Sequence, residues 1–162
     1  MAAATNDLKN EKVKLLDDYF AKEHLNFFHK RVTGNASDTV VYITAIPAGA
    51  YKLLAAVITD NSIYTIVRCH LGDRIPGAAD EAQFLEYLRN LNAHHAFFKY
   101  AMNQDGGLYL DVCLTARDDH FDPEMVRTTL NLLVYHMQES YGDIVRWLSK
   151  PGDAEKELNG TY

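Results

Sequence analysis

A chain of 162 residues, 48% hydrophobic and 11% aromatic, is long enough for one domain to bury its own core without disulfide or metal staples, and too apolar to be disordered. Its 22 acidic residues against 16 basic ones leave a formal charge of −6, which excludes a general binder of the nucleic-acid backbone, because that affinity rests on Lys and Arg displacing counterions. No apolar run reaches spanning length, and residues 1–7 lack the basic start and apolar stretch of a secretory signal, so a soluble, cytoplasmic protein with no membrane partner is expected.

The first helix is expected to begin after Asn6 or Asp7, either of which can cap it, and to run to about Ala21 with Val13, Leu16, Tyr19 and Phe20 at helical spacing. Over residues 25–32, Phe27 and Phe28 fit either a continued helix or a short strand entering a sheet, and both readings stay open. Thr33-Gly34-Asn35-Ala36-Ser37-Asp38 is a break made of turn formers.

Three β-rich runs follow, at residues 39–46, 51–59 and 63–71. In the third, Ile63, Thr65, Val67, Cys69 and Leu71 alternate with Tyr64, Ile66, Arg68 and His70, the period of a sheet with one drier face. Connections this short imply antiparallel neighbours, hence a meander.

Asp80 with Gln83 has the spacing of a capping box for a second helix, whose inner stripe is Phe84, Leu85, Leu88, Leu91 and Asn92. Residues 97–115 then read as a hairpin, with Asn103-Gln104-Asp105-Gly106-Gly107 supplying the turn. By alternation Leu110, Val112 and Leu114 share a buried face and Asp111 points to the other side, completing a five-stranded antiparallel sheet. Asp122-Pro123-Glu124 places an N-cap, a proline at the first helical position and an acid in the first turn. The helix that follows carries Val126, Leu130, Leu133, Met137, Tyr141, Ile144 and Leu148 on one seam, and Pro151-Gly152 stops it. Residues 1–150 thus form one domain, and residues 151–162 a polar, mobile tail.

The order α-β-β-β-α-β-β-α, with Ile75-Pro76 leaving the third strand, Leu91-Asn92 ending the second helix, the acidic Gly-containing turn at Asn103-Gln104-Asp105-Gly106, and the cap at Asp122-Pro123, resembles the YbjN family of bacterial sensory transduction regulators and its type III secretion chaperone-like fold. The resemblance spans about residues 7–148 and rests on architectural motifs, not a catalytic signature. It implies an α+β domain with a twisted antiparallel sheet packed against helices, working in protein binding, and a homodimer. The dimer is expected to pair through the second helix and neighbouring hairpin strand, where Phe84, Tyr87, Leu88 and Leu91 spread apolar surface wider than one inward stripe requires.

Chemistry-bearing residues are sparse. His94-His95 point about 100° apart on a helix and cannot chelate one ion as an i, i+4 pair does, and Asp118-Asp119-His120 reads as a solvated turn, so no metal or other cofactor is expected. Cys69 and Cys113 are expected to be reduced and packed. No phosphate-cradling, dinucleotide or nucleophile-elbow motif is present, and a non-enzymatic role follows. Tyr64 and Tyr109, on the wetter strand faces, and Tyr87, beside the inner stripe of its helix, are the candidates for partner contact, because an amphipathic ring suits an interface at low entropic cost. The alternative is a small-ligand-binding or enzymatic domain whose pocket lies between the sheet and the first helix.

Overall fold

The computed structural model describes residues 10–159, and the expected caps Asn6 and Asp7 lie outside them. It is an α+β structure of four helices and one antiparallel sheet of seven strands. Helix α1 (Glu11–Lys22) leads into a short strand β1 (His29–Val32) and the meander β2 (Val40–Ala48), β3 (Tyr51–Thr59) and β4 (Tyr64–Asp73). Helix α2 (Glu81–His94), the hairpin β5 (Lys99–Met102) and β6 (Gly107–Thr115), and the long helix α3 (Pro123–Ile144) follow. The chain closes with β7 (Lys150–Pro151) and α4 (Ala154–Asn159). Spatial order is β1-β2-β3-β4-β6-β5, and β7 pairs with the end of β4. Among the described residues no helix is long and apolar enough to cross a membrane.

The alternation expected of the strands is present in all the long ones. Val40, Tyr42, Ile46, Leu53, Ala55, Val57, Val67, Cys69 and Leu71 are buried on one face, joined there by Leu110, Val112 and Leu114. α1 lays Val13, Leu16 and Phe20 on one half of this face, and α3 lays Leu133, Met137, Tyr141 and Ile144 on the other with Phe84 and Leu88 of α2. Asp111 points to the opposite face, where both its oxygens accept from Arg68, at 2.8 and 2.7 Å. Cys69 and Cys113 stand on opposite faces of the paired strands β4 and β6, opposite Leu110 and Ile66.

Several expectations are corrected. The sheet has seven strands, not five, because β1 pairs with the first half of β2 and β7 fills the place beside β4 where β3 has ended. The stretch 25–32 is thus an elbow followed by a strand. α1 ends with His24 at φ +56°, while Leu25 N–H donates to Phe20 carbonyl at 2.8 Å and His24 N–H to Ala21 carbonyl at 3.2 Å, the Schellman arrangement that usually advertises itself with glycine. Residues 151–159 are not a loose tail. Ala154 is fully buried and Gly152 N–H donates to Leu71 carbonyl at 3.0 Å and to Tyr141 hydroxyl at 3.0 Å. Asp80 makes no side-chain cap; its carboxylate accepts from Arg74 at 2.6 Å, since a guanidinium that is almost wholly buried needs a counter-charge more than one amide needs a cap. Asp122 does cap α3, accepting from Glu124 N–H at 2.9 Å.

Candidate functional site

The six residues singled out for partner contact fall in three places. Tyr64 is 51% exposed at the start of β4 on the face of the sheet opposite α1, α2 and α3. Tyr109 lies half-buried on the same face, its ring 5.1 Å from the Arg68 guanidinium and 5.0 Å from the His70 ring. Phe84 and Leu88 are in the core, which withdraws them from any outward surface. Tyr87 and Leu91 are half-buried against that core, and the Tyr87 ring stacks on Trp147 at 5.3 Å. The apolar width of α2 that invited a second copy is thus partly taken up by the turn after α3. Leu85, assigned to the inner stripe, is instead 49% exposed, because α2 inclines Phe84 and Leu88 toward the sheet and turns Leu85 outward.

An apolar groove of about 310 Å³ lies elsewhere, between the elbow, the edge of β2 and α3. Its construction starts with one stacking contact. The Phe28 ring lies on Phe20 at 4.4 Å and 14°, which draws the chain off the sheet just before β1 and leaves Phe27 55% exposed at the rim. β1 therefore pairs with β2 only as far as His29 opposite Ile43, whereas β2 runs on to Ala48. Residues 44–48 have no strand on that side among the described residues. Pro47 fits there because a strand edge tolerates a residue without an N–H. Ile46 and Pro47 form one wall of the groove, and Leu130 and Val134 of α3 another. At the mouth Arg127 is held by Glu23 at 2.9 Å, so the rim carries a neutralised charge over an apolar floor. The sequence signal was the Phe27-Phe28 pair, but its outward display depends on the stacking of Phe28 upon Phe20.

A second cluster sits between α3 and the hairpin. His136 is buried, stacked on Phe98 at 4.4 Å, and its Nε2 takes the Tyr100 hydroxyl at 2.5 Å. His95 packs edge-on at 4.6 Å. Burial, and then the neighbouring His95, push the His136 imidazole down to about 4. The unfolded chain takes this proton near pH 6.5, the folded one only near 4, so stability must fall as pH drops through that window. Between pH 7 and pH 5 this ring's contribution, on the order of 2 kcal/mol, is expected to be lost in thermal melting, offset in part by His70, whose raised pKa acts with the opposite sign. His136→Phe should flatten that slope, and an unchanged slope would show that the ring titrates freely.

Histidines do not gather elsewhere. His94 Nδ1 lies 2.7 Å from the Asn90 carbonyl within its own helix, and His120 is exposed beside Asp119 at 3.2 Å. Among the described residues no group of three or more His, Cys, Asp or Glu could hold a metal ion. Lys12 is fully buried, but its ammonium donates to the Ser62 and Tyr64 carbonyls at 2.7 Å each and so ties α1 to the turn before β4. Burial lowers its pKa, and Asp60 and Asp118 oppose the fall. No family model matches this sequence, and no curated protein is significantly similar to it.

Proposed function

We propose that this chain is a non-enzymatic, cytoplasmic protein-binding module, resembling a type III secretion chaperone or a YbjN-like sensory regulator, that holds an extended apolar segment of a partner along the free edge of β2. One observation carries the reading: residues 44–48 of β2, paired with β3 on one side only, border the groove walled by Ile46, Leu130 and Val134 and rimmed by Phe27. An open edge offers main-chain hydrogen bonds to an added strand, and an adjoining apolar groove accepts alternate side chains of that strand. The order α1, four consecutive antiparallel strands, α2, a hairpin and α3 contains the expected series with one strand, β1, added ahead of the three, and to that extent supports the resemblance.

The test uses a panel of synthetic twelve-residue peptides alternating apolar and polar residues, titrated by fluorescence anisotropy. Binding should protect amides among residues 44–48, Pro47 having none, from exchange. Phe27→Asp is expected to weaken it about 30-fold, the worth of an aromatic anchor, while the exposed site leaves melting nearly unchanged. Equal affinity for both proteins, or protection confined to another strand, overturns the reading.

A small apolar ligand is the second reading, favoured by the groove volume of about 310 Å³ and by the wall that Phe20 of α1 contributes. A bound metabolite in native mass spectra of the purified chain would select it. The proposed homodimer would use α2 and the edge strand β5, near the exposed Leu85 and Phe97. A scattering mass near 18.3 kDa at micromolar concentration sinks it. Leu85→Glu is the cleaner probe of a dimer, because Tyr87 is engaged with Trp147.

A further inference from the structure

We propose that α4 is a proton-controlled latch on the face of the sheet opposite α1, α2 and α3, closed while His70 is an imidazolium between Glu157 and Asp73, and released when the ring loses that proton.

The geometry begins at β4, where His70 projects onto the face that α1, α2 and α3 leave open. Its Nδ1 lies 2.9 Å from Glu157 of α4, and its Nε2 lies 3.1 Å from Asp73. Ionised carboxylates only accept, and a neutral imidazole carries a single N–H, so only the doubly protonated ring satisfies both contacts. Other groups around it do not replace this role. Tyr109 of β6 stacks near the ring at 5.0 Å, and Lys150 of β7 approaches Asp73 at 3.8 Å. Arg68 and Asp111 are committed to each other, and Lys52 of β3 reaches Glu155 of α4 at 3.1 Å on the exposed rim. Burial alone would lower the His70 pKa, but the hydrogen bonds and charges of Glu157 and Asp73 outweigh it and raise it.

α4 depends on this contact more than a long helix would. A helix of six residues is not stable by itself, so its order comes from what it touches. Gly152 and Ala154 anchor its start, Glu157 holds its middle, and Leu158 at its end is only partly covered beside Ile43 and Leu54. Glu157 also accepts from the Asp153 N–H at 3.2 Å, so the same carboxylate caps the helix and fastens it. With a raised folded pKa, the stabilisation is present at low pH and is lost as pH rises through that folded value. Opening frees Ile43 and Leu54 on β2 and β3, beside the basic residues Lys30 and Arg31 of β1.

The test is hydrogen exchange of the full chain, followed by mass spectrometry of the peptide covering residues 152–159. Rates at pH 6 and pH 8.5 are corrected for intrinsic exchange, with the buried amides of α3 as internal reference. Protection is expected to fall about fivefold at the higher pH as a charge-assisted contact becomes a neutral one. His70→Gln and Glu157→Gln should each abolish this dependence. The second variant keeps an oxygen for the Asp153 N–H and so serves even if the first does not fold. Equal corrected protection at both pH values in the unmodified chain, or the same fivefold change in Glu157→Gln, overturns the latch.

Discussion

Val112→Asp is expected to abolish stable folding. Val112 is 2% exposed on β6, lies opposite Val67 of β4, and packs in the cluster formed by Val13, Leu16, Val57 and Val126. A carboxylate placed there either remains charged without a partner or takes up a proton and still leaves polar atoms unsatisfied. Either state costs several kcal/mol, a large part of the 5–15 kcal/mol that holds a typical domain together. The adjacent residue supplies the control. Cys113 is exposed on the opposite face, so Cys113→Asp should shift the melting temperature little. Circular dichroism melts of the two variants decide between faces: cooperative, near-normal melting of Val112→Asp would mean that β6 has been placed with the wrong side inward.

Gly106→Ala is expected to destabilise the chain by about 3 kcal/mol or more, far beyond the usual effect of a glycine substitution in a turn. Gly106 has φ +91°, and a Cβ built there would run into the Arg74 carbonyl oxygen. The contact is close because the hairpin tip is docked: Arg74 N–H donates to the Gly106 carbonyl at 2.8 Å, joining the exit of β4 to the turn between β5 and β6. Backbone on both sides leaves little room to yield. Gly34→Ala separates the two contributions, since Gly34 has φ +68° but nothing within 4 Å of the added methyl. That variant should lose only about 1 kcal/mol, the ordinary cost of a side chain in the left-handed region. Urea titrations of both proteins measure the difference, and equal losses would show that the hairpin tip is not docked in solution.

Arg74 is also a point where sequence reading and structure part. Asp80 and Gln83 have the spacing of a capping box, and that local pattern was a fair guide to where α2 begins. The box itself does not form, because Arg74 enters from the end of β4, donates to Trp147 carbonyl at 2.5 Å, and claims Asp80. A guanidinium 4.2 Å from the Phe84 ring, with almost no access to water, outcompetes a backbone amide for the Asp80 carboxylate. Arg74 also holds the backbone of Trp147, whose ring closes over Phe84 and Tyr87 from about sixty residues away and covers surface that the helix sequence alone leaves open.

What the sequence determined by itself was most of what is written in a local period: the three long strands of the meander, the hairpin with Leu110, Val112 and Leu114 inward, and the cap of α3 with its seam as far as Ile144, whereas Leu85 of the α2 stripe turned outward and Leu148 fell beyond the end of α3. Those patterns are legible because burial of one face repeats every two or every 3.6 residues, whatever lies opposite. Tertiary structure decided the rest. β1 is four exposed residues with no buried face to alternate, and it is a strand only because β2 is there to pair with it. β7 and α4 read as a polar tail, since their order comes from Gly152 beneath Tyr141 and Glu157 against His70, contacts made singly across long stretches of chain. The groove likewise needed Phe28 to find Phe20 before β2 could keep a free edge. Single contacts between distant residues leave no period behind, so only the folded chain could show them.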